Sequence, residues 1–375
     1  MTHTDLQQLP TLLDILEDIA LCEEMFQLKQ DKFQGLFPTH YQEGFFETMV
    51  VEDGSTQLWP LGLLPYTYFR GQSSYYPVCK PNLFRKGMVP SKVFLERLRA
   101  CELEIVMKQH PMVDIFKNKT FLTFPDGSLR HISLSIDYLA LAQHYGICTE
   151  LLDLTVNKWV AAFFACTKFV NGVYEPILDT DSYGVFYEYE LPVRDMFPGK
   201  KAIQRKLRAV GLQPFSRPGE QAGFVLQMTE EEDFNNLCPK QVKFRHDPEV
   251  SKLIFNYANR SKKLFPYELL QDKAKVIKET TSFSRAAYNY TLARYFSTTH
   301  RDIIASWKLA ENIELLDKPI IEFTDHEKED FLREWPKKEK DFYSRIIPRF
   351  TYNGPIKERI IEGGCYVVHC QKANL

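Results

Sequence analysis

Residues 143–166, QHYGICTELLDLTVNKWVAAFFAC, constrain the fold more than any other segment of the chain. Gly146 fits the position that follows a helix end, where a positive φ is often required. Positions 151–154 predict a short buried strand that leads directly into an apolar helix through Cys166. The apolar stretch at 159–166 is the longest in the sequence, and it is far shorter than the roughly 20 residues that a membrane span needs. The segment therefore indicates a mixed α/β core and argues against membrane insertion.

The length of the chain limits the number of domains. A single core stops growing at roughly 250 to 300 residues, and this chain has 375. Hydrophobic residues make up 44% and charged residues 26%, which is the balance of a folded protein. We therefore expect one large domain with appendages, or two domains.

Charge and cysteine usage indicate the compartment and the partners. With 47 basic and 49 acidic residues the formal charge is -2, so no global positive field attracts a nucleic-acid backbone. The eight cysteines are scattered without a CxxC pair, which is typical of reduced thiols. Residues 1–10 lack the basic and apolar regions of a secretory signal. These features predict a cytoplasmic protein with neither a membrane nor a nucleic acid as partner.

Hydrophobic periodicity divides the chain into three segments. Residues 1–58 predict an N-terminal helical appendage, with an amphipathic helix over 11–36 and then a break that is rich in glycine. Residues 59–285 predict an α+β domain with a mixed or antiparallel central sheet flanked by helices. Residues 286–375 predict a C-terminal α/β extension of unknown role. Further helices are predicted at 91–108, 136–144, 247–264, 267–280, 299–313 and 325–341, and further strands at 183–191, 223–228, 345–352 and 365–369.

The first candidate for chemistry is the tetrapeptide Phe69-Arg70-Gly71-Gln72, which ends an extended stretch. An arginine that leaves a strand presents five N–H donors in a planar fork, and a neighbouring glycine lets a ligand come close to the backbone. A diphosphate or a carboxylate is held in that way. The alternative is a buried arginine that pairs with a carboxylate and fixes the strand.

The second candidate is the turn between the strand at 151–154 and the apolar helix. Asp153, Thr155 and Asn157 cluster there, and each of these residue types accepts hydrogen bonds from N–H groups at a helix start. The same turn offers its N–H groups and its dipole to an anion. Capping is the simpler interpretation for any one of the three, and a lone His144 is more often structural than a base.

Together the two candidates resemble the FRG-domain family, which is named for its Phe-Arg-Gly tripeptide. In that family the tripeptide is followed by Gln-His-Tyr-Gly, Thr, Leu-Leu-Asp, Thr and an apolar helix that ends in Phe-Ala. The resemblance covers about residues 59–280, with weaker matches at 217–224 and at 264–266. The matching positions of the main block are Arg70, Gly71, Gln143, His144, Tyr145, Gly146, Thr149, Leu151, Leu152, Asp153, Thr155, Ala161, Phe164 and Ala165.

The chain departs from the family pattern at three positions. Cys148 and Glu150 stand where the family usually has Pro and Arg, and Leu154 replaces a Trp. Glu150 is expected to remove an anion-binding arginine from the site. Leu154 is a milder change, in core volume.

The order of these segments is also similar to that of ADP-ribosyltransferases. In that fold an arginine on a strand holds the diphosphate side of NAD, a middle strand holds the nicotinamide ribose, and a late glutamate stabilises the ribosyl cation. The resemblance implies Arg70, Thr155 and either Glu220 or Gln221 as catalytic residues, with Glu220 preferred, and NAD as the substrate. The residues that it implies for NAD binding are Gly71, Gln72, His144, Tyr145, Asp153 and Gln221.

Three other sets of residues carry weaker signals. Glu188 and Glu190 fall on one face of a predicted strand, where a solvated acidic face is simpler than a catalytic pair. A cysteine and histidine group near the C-terminus lacks a fourth ligand, so no metal site is predicted. A basic cluster is more often a solvated helix face than a nucleic-acid site. The metal group is Cys365, His369 and Cys370, and the basic cluster is Lys200, Lys201, Arg205, Lys206 and Arg208.

Two functions from different classes follow. The first is an NAD-consuming transferase or glycohydrolase, as in a bacterial effector or defence protein, which acts on a macromolecular acceptor or on NAD itself. The second is a module that binds a nucleotide-like or phosphorylated small molecule without turnover. The replacement of an arginine by Glu150 favours the second, because a degenerate site can keep its shape after losing its chemistry.

Overall fold

A computed structural model describes residues 7–30, 42–51, 55–62, 67–190, 207–296, 301–353, 361–362 and 365–366. The helices of these residues are α1 (Leu12–Gln30), α2 (Pro90–Met107), α3 (Pro111–Asp114), α4 (Tyr138–His144), α5 (Lys158–Cys166), α6 (Arg217–Glu220), α7 (Phe234–Leu237), α8 (Pro248–Tyr257), α9 (Leu269–Glu279), α10 (Arg285–Tyr295), α11 (Arg301–Ala310) and α12 (Asp325–Ser344). A 3-10 turn covers Asn82–Phe84, and a π-helical turn covers Ile115–Lys119.

The strands of the described residues follow in chain order. They are β1 (Phe46–Val51), β2 (Thr56–Pro60), β3 (Thr67–Gln72), β4 (Phe121–Thr123), β5 (Leu129–His131), β6 (Leu151–Thr155), β7 (Thr167–Val170), β8 (Val173–Pro176), β9 (Tyr183–Glu190), β10 (Leu207–Ala209), β11 (Gly223–Gln227), β12 (Lys240–Arg245), β13 (Ser282–Ser284), β14 (Glu314–Leu316), β15 (Ile346–Asn353), β16 (Ile361–Glu362) and β17 (Cys365–Tyr366).

The centre of the fold is a six-stranded sheet in which every neighbouring pair of strands is antiparallel. Its strand order is β10-β11-β6-β3-β9-β12. Helices pack against this sheet, and the predicted α+β class with an antiparallel central sheet is confirmed. No helix among the described residues combines the length and the apolar character that crossing a bilayer requires.

Helix α5 packs directly on β3 because both elements are small or apolar where they meet. Phe69 of β3 and Phe186 of β9 face this helix, in an apolar layer that α1 and α8 complete. A Cβ at position 71 would lie 1.9 Å from the carbonyl oxygen of Ala161 and 2.7 Å from Cβ of Ala165. Only glycine permits so close an approach. Gly71 therefore sets the distance between the sheet and the helix.

A second core forms around α2 and draws on the C-terminal part of the chain. Helices α4, α9, α10 and α11 contribute buried side chains to it. Buried Glu102 on α2 accepts a hydrogen bond from the Ser284 hydroxyl at 2.7 Å. Buried Glu104 accepts hydrogen bonds from Tyr290 and Arg294, each at 2.9 Å. Within the described residues, the predicted segments 59–285 and 286–375 thus share one hydrophobic core.

A smaller sheet joins the two ends of the described chain. Strand β1 lies between β2, to which it is antiparallel, and β15, to which it is parallel. The glycine-rich break predicted before residue 58 contains β1, because Gly44 and Gly54 flank the strand rather than interrupt it. The predicted helix at 247–264 also differs, since α8 ends at Tyr257 and residues 259–261 have positive φ values that no helix tolerates.

Candidate functional site

The two central strands part beside the tripeptide. Strands β3 and β6 form only the pair Phe69–Thr155, whereas β3 pairs with β9, and β6 with β11, along their whole lengths. Beyond that pair a side chain bridges the strands, because Arg70 Nη1 donates a hydrogen bond to the carbonyl oxygen of Asp153 at 2.8 Å. The sheet is therefore open at Arg70.

A cleft of about 270 Å³ lies at this opening, between the parted strands and α5. Seven of the site residues predicted from the sequence line this cleft, although they are spread over about 150 positions of the chain. The predicted residues in its wall are Arg70, Gly71, Gln72, His144, Asp153, Thr155 and Gln221. The further residues of the wall are Phe69, Ser73, Tyr76, Arg85, Leu154, Val160, Ala161, Phe164 and Gly223.

Two guanidinium groups face the cleft. Arg70 Nε is buried and has no hydrogen-bond partner among the described residues. Arg85 follows the 3-10 turn, and its Nε donates to the carbonyl oxygen of Lys80 at 3.2 Å. Partial burial, and then the positive charge of Arg70, lower the pKa of Arg85. Since no described carboxylate pairs with either guanidinium, the two arginines together suit an anion.

Arg85 is the charged residue of this site that no sequence pattern indicates. It stands in an irregular loop between Pro81 and Pro90, and no motif marks it. A basic residue after a 3-10 turn is common on protein surfaces. Only the folded chain shows that this loop passes the end of β3.

His144 and Asp153 form the second polar part of the cleft. His144 Nε2 lies 4.0 Å from Asp153 Oδ1, and neither atom has a hydrogen-bond partner among the described residues. Burial lowers the pKa of His144 more strongly than the Asp153 carboxylate raises it, so the imidazole is neutral near pH 7. The Asp153 side chain is 46% exposed and remains accessible from the cleft. Gln143 Nε2 donates a hydrogen bond to the other carboxylate oxygen of Asp153, Oδ2, at 3.2 Å.

Thr155 and Gln221 connect β6 to the turn before β11. The Thr155 hydroxyl donates to the carbonyl oxygen of Gln221 at 2.7 Å and accepts from the Asn157 N–H at 3.0 Å. Asn157 Oδ1 accepts from the Trp159 N–H at 2.9 Å as the N-cap of α5. The capping interpretation therefore holds for Asn157, and Thr155 has a structural role besides its place in the cleft.

Gln72 is buried at the far end of β3. Its Nε2 lies 3.4 Å from Cys79 Sγ, and its Oε1 lies 3.2 Å from the Tyr187 hydroxyl. Tyr187 also hydrogen-bonds Asn235 at 2.8 Å. This network fixes the Gln72 amide and connects β3 to β9.

Two of the predicted site residues do not line the cleft. Glu220 Oε1 forms an ion pair with Arg345 Nη1 at 2.9 Å. Tyr145 is buried and its hydroxyl donates to Glu268. The Arg217 guanidinium lies 4.5 Å from the centre of the Tyr145 ring. Asp153 is the carboxylate among the residues that line the cleft.

Glu150 lies on a different cavity. It lines a larger space together with Asp137 and Arg208, and it is not among the residues that line the cleft. The expectation that Glu150 deprives this site of an arginine is therefore not supported by the geometry. Glu150 directly precedes β6 and lines the other space.

The weaker candidates are distributed as follows. Glu188 is buried and pairs with Lys240 Nζ at 2.6 Å, so only Glu190 is solvated as expected. Arg208 pairs with Asp137 at 3.0 Å. The rest of the basic cluster, at 200–206, and the C-terminal pair at 369–370 lie outside the described residues. Among the described residues, no group of three His, Cys, Asp or Glu side chains could hold a metal ion.

The fold is an α+β domain with a cleft between two parted strands, and two arginines line this cleft. Residues 66–171 match the family model of the FRG domain, and the chain therefore contains an FRG domain. The match includes the tripeptide and the block from β6 to α5, whereas the weaker resemblances at 217–224 and 264–266 lie beyond it. Neither a curated protein nor a solved structure matches the chain.

Proposed function

We propose that the cleft binds the diphosphate of NAD or of a related nucleotide, and that the protein cleaves the bond between nicotinamide and ribose. The observation that carries the proposal is the pair Arg70 and Arg85, which face one cleft without a carboxylate partner among the described residues. Two guanidinium groups can donate to both phosphates of a diphosphate at once.

The size of the cleft limits how much of such a ligand is enclosed. Its volume of about 270 Å³ is close to the lower bound of about 300 Å³ for small-molecule sites. The cleft would therefore enclose the diphosphate and part of one nucleoside, and the remainder would lie at the open side. The ring of Phe164 and the exposed ring of Tyr76 provide apolar surface for a base.

The proposed reaction requires stabilisation of positive charge on the ribose. The bond from C1′ to the nicotinamide nitrogen breaks, and nicotinamide leaves with the electron pair. The Asp153 carboxylate stabilises the ribosyl cation that forms. Water or an acceptor nucleophile then adds to C1′ and releases one proton, so a glycohydrolase and a transferase differ only in this nucleophile. Asp153 takes the role that the resemblance gave to Glu220.

A second function is binding of a phosphorylated small molecule without turnover. The position of Glu220 favours it, because the glutamate expected to act on the ribose is engaged with Arg345. In that case Arg70 and Arg85 still recognise the anion, and Asp153 and His144 shape the cleft without reacting.

Nicotinamide release and ligand affinity distinguish the two functions. Purified protein is incubated with NAD and nicotinamide is followed by chromatography, while ADP-ribose binding is measured by titration calorimetry. We expect Arg85→Ala to weaken binding about tenfold or more, because a charge-assisted hydrogen bond contributes about 1.5–3 kcal/mol. Asp153→Asn should keep binding and lower the rate of release about a hundredfold or more.

The matched control is Lys86→Ala. Lys86 is exposed and follows Arg85 in the chain, but it does not line the cleft. It should bind ADP-ribose as the wild type does. Binding without release selects the second function. If neither NAD nor ADP-ribose binds to the wild type, the first function is wrong; if inorganic diphosphate does not bind either, the second is also wrong.

A further inference from the structure

A second cavity of the described residues lies apart from the cleft at the tripeptide. It has a volume of about 640 Å³ and lies where the start of β6 meets β10, α2, the start of α4 and α10. Both polar and apolar side chains line it, and no residue is common to its wall and that of the cleft. Its residues are Gln57, Glu104, Ser135, Ile136, Asp137, Tyr138, Leu139, Glu150, Arg208, Gln227, Tyr290, Arg294 and Tyr295.

Most of the charged groups in this wall neutralise one another. Arg208 Nε donates to Asp137 Oδ2 at 3.0 Å. Arg294 Nη1 donates to Glu104 Oε2 at 2.9 Å, and Glu104 also pairs with Lys108 at 2.7 Å. These contacts fix four of the five charged lining residues.

Glu150 is the fifth charged residue, and its carboxylate has no such contact. The residue is 8% exposed, and its buried Oε2 has no hydrogen-bond partner among the described residues. The hydroxyls of Tyr138 and Tyr295 in the same wall are also buried without a partner in the described part of the chain. Burial, and then the negative charge of Glu150, raise the pKa of Tyr295. A buried acceptor of this kind is costly unless something donates to it.

The faces of the tyrosine rings are already occupied by cations of the protein itself. The Arg97 guanidinium lies 4.6 Å from the centre of the Tyr295 ring. Lys108 Nζ lies 5.2 Å from the centres of both the Tyr138 and Tyr290 rings. The tyrosine faces are therefore not free for a ligand, whereas three buried oxygen atoms of the wall lack a hydrogen-bond partner among the described residues.

We propose that this cavity is a binding site for a small molecule with a primary ammonium group, which donates to Glu150 and to the hydroxyls of Tyr138 and Tyr295. A primary ammonium supplies three N–H donors and one positive charge, which match two hydroxyl oxygens and one carboxylate. The volume of about 640 Å³ lies within the range of about 300–1,000 Å³ for small-molecule sites. The site is separate from the cleft and does not depend on what the cleft binds.

Three probes separate the charge of the ligand from its hydrogen-bond donors. Putrescine has both, tetramethylammonium has charge without N–H donors, and 1,4-butanediol has donors without charge. Titration calorimetry of the full chain should show binding of putrescine alone. Glu150→Gln, which keeps the shape of the side chain, should weaken that binding about tenfold or more, since hydrogen bonds to charged groups contribute about 1.5–3 kcal/mol.

Two control variants make the test specific. Glu249→Gln changes an exposed carboxylate far from this wall, and Arg85→Ala changes the cleft; both should bind putrescine as the wild type does. Thermal melting shows whether Glu150→Gln is folded. If its fold is lost, Tyr295→Phe replaces it and should also weaken binding. Absence of putrescine binding to the wild type, equal binding of tetramethylammonium, or unchanged affinity in folded Glu150→Gln would each overturn the proposal.

Discussion

The surroundings of His110 hold this residue neutral. Its imidazole lies between three phenylalanine rings, with centroid distances of 5.1 Å to Phe215, 4.9 Å to Phe323 and 4.6 Å to Phe331. Its Nδ1 accepts a hydrogen bond from the Met112 N–H at 3.2 Å. Burial lowers the pKa of His110 to about 4, and the charge of Glu327 compensates only in part. Protonation would also break the hydrogen bond at Nδ1.

This environment predicts a loss of stability in mild acid. The unfolded state takes up a proton near pH 6.5, whereas the folded state takes it up only near pH 4, so the folded state is penalised as the pH falls between these values. The penalty reaches about 2 kcal/mol at about pH 5. His110→Phe keeps the ring packing and removes the titration, so its free energy of unfolding should fall less than that of the wild type. Urea titrations near pH 6.5 and near pH 5 measure how much the free energy of unfolding falls in each protein.

His326 provides the control for this prediction. It is an exposed histidine on α12, and His326→Ala should lose as much stability in acid as the wild type. An equal loss in His110→Phe and in the wild type would contradict the assigned cause.

Single residues also show what could be predicted and what could not. The motif assigns Arg70, His144 and Asp153 to one site, and all three line the cleft. It could not separate Glu220 from Gln221. Glu220 is the last residue of the single turn α6, and Gln221 directly follows it. Successive side chains on a helical turn point about 100° apart, so Gln221 lines the cleft while Glu220 pairs with Arg345. Spacing along the sequence does not determine such a direction.

At the scale of elements, the contact between α5 and β3 depends on Gly71. Gly71→Ala would place a methyl group 1.9 Å from the Ala161 carbonyl oxygen, and the helix would have to move away from the strand. We expect a loss of about 1–3 kcal/mol, as for other overpacked cores, measured by chemical denaturation. Ser74→Ala, at an exposed position just after β3, should change stability little. A Gly71→Ala variant as stable as the wild type would show that α5 does not pack this tightly.

Elements with clear periodicity were predicted well, and those defined by distant partners were not. The predicted helix at 91–108 corresponds to α2, and the strand at 151–154 to β6. Strand β12 was missed because its sequence KQVKFR is mostly polar, and it is fixed by pairing with β9. Strand β1 is likewise fixed by β15, about 300 residues further along the chain. Local sequence contains no record of such a partner.

At the scale of the whole molecule, the C-terminal part of the chain completes the core around α2. Truncation after residue 285 would remove four buried apolar side chains from it: Ala287, Ile304, Ile313 and Phe323. We expect the truncated chain to lose cooperative unfolding and its near-ultraviolet circular dichroism, because the helices that pack on α2 would be missing. Coexpression with residues 286–375 should restore both signals. Cooperative unfolding of residues 1–285 alone would instead support the division of the chain at that point.

The single residue pair between β3 and β6, Phe69–Thr155, has a mechanical consequence. It divides the sheet into two ribbons, β10-β11-β6 and β3-β9-β12, in each of which neighbouring strands form at least three residue pairs. A rotation of one ribbon against the other would change the width of the gap at Arg70, and between β3 and β6 it would disturb one backbone pair and the hydrogen bond from Arg70 to the Asp153 carbonyl. An anion that spans both ribbons would act as a clamp across this hinge, so the backbone amides next to the hinge should exchange with deuterium more slowly once the gap is filled.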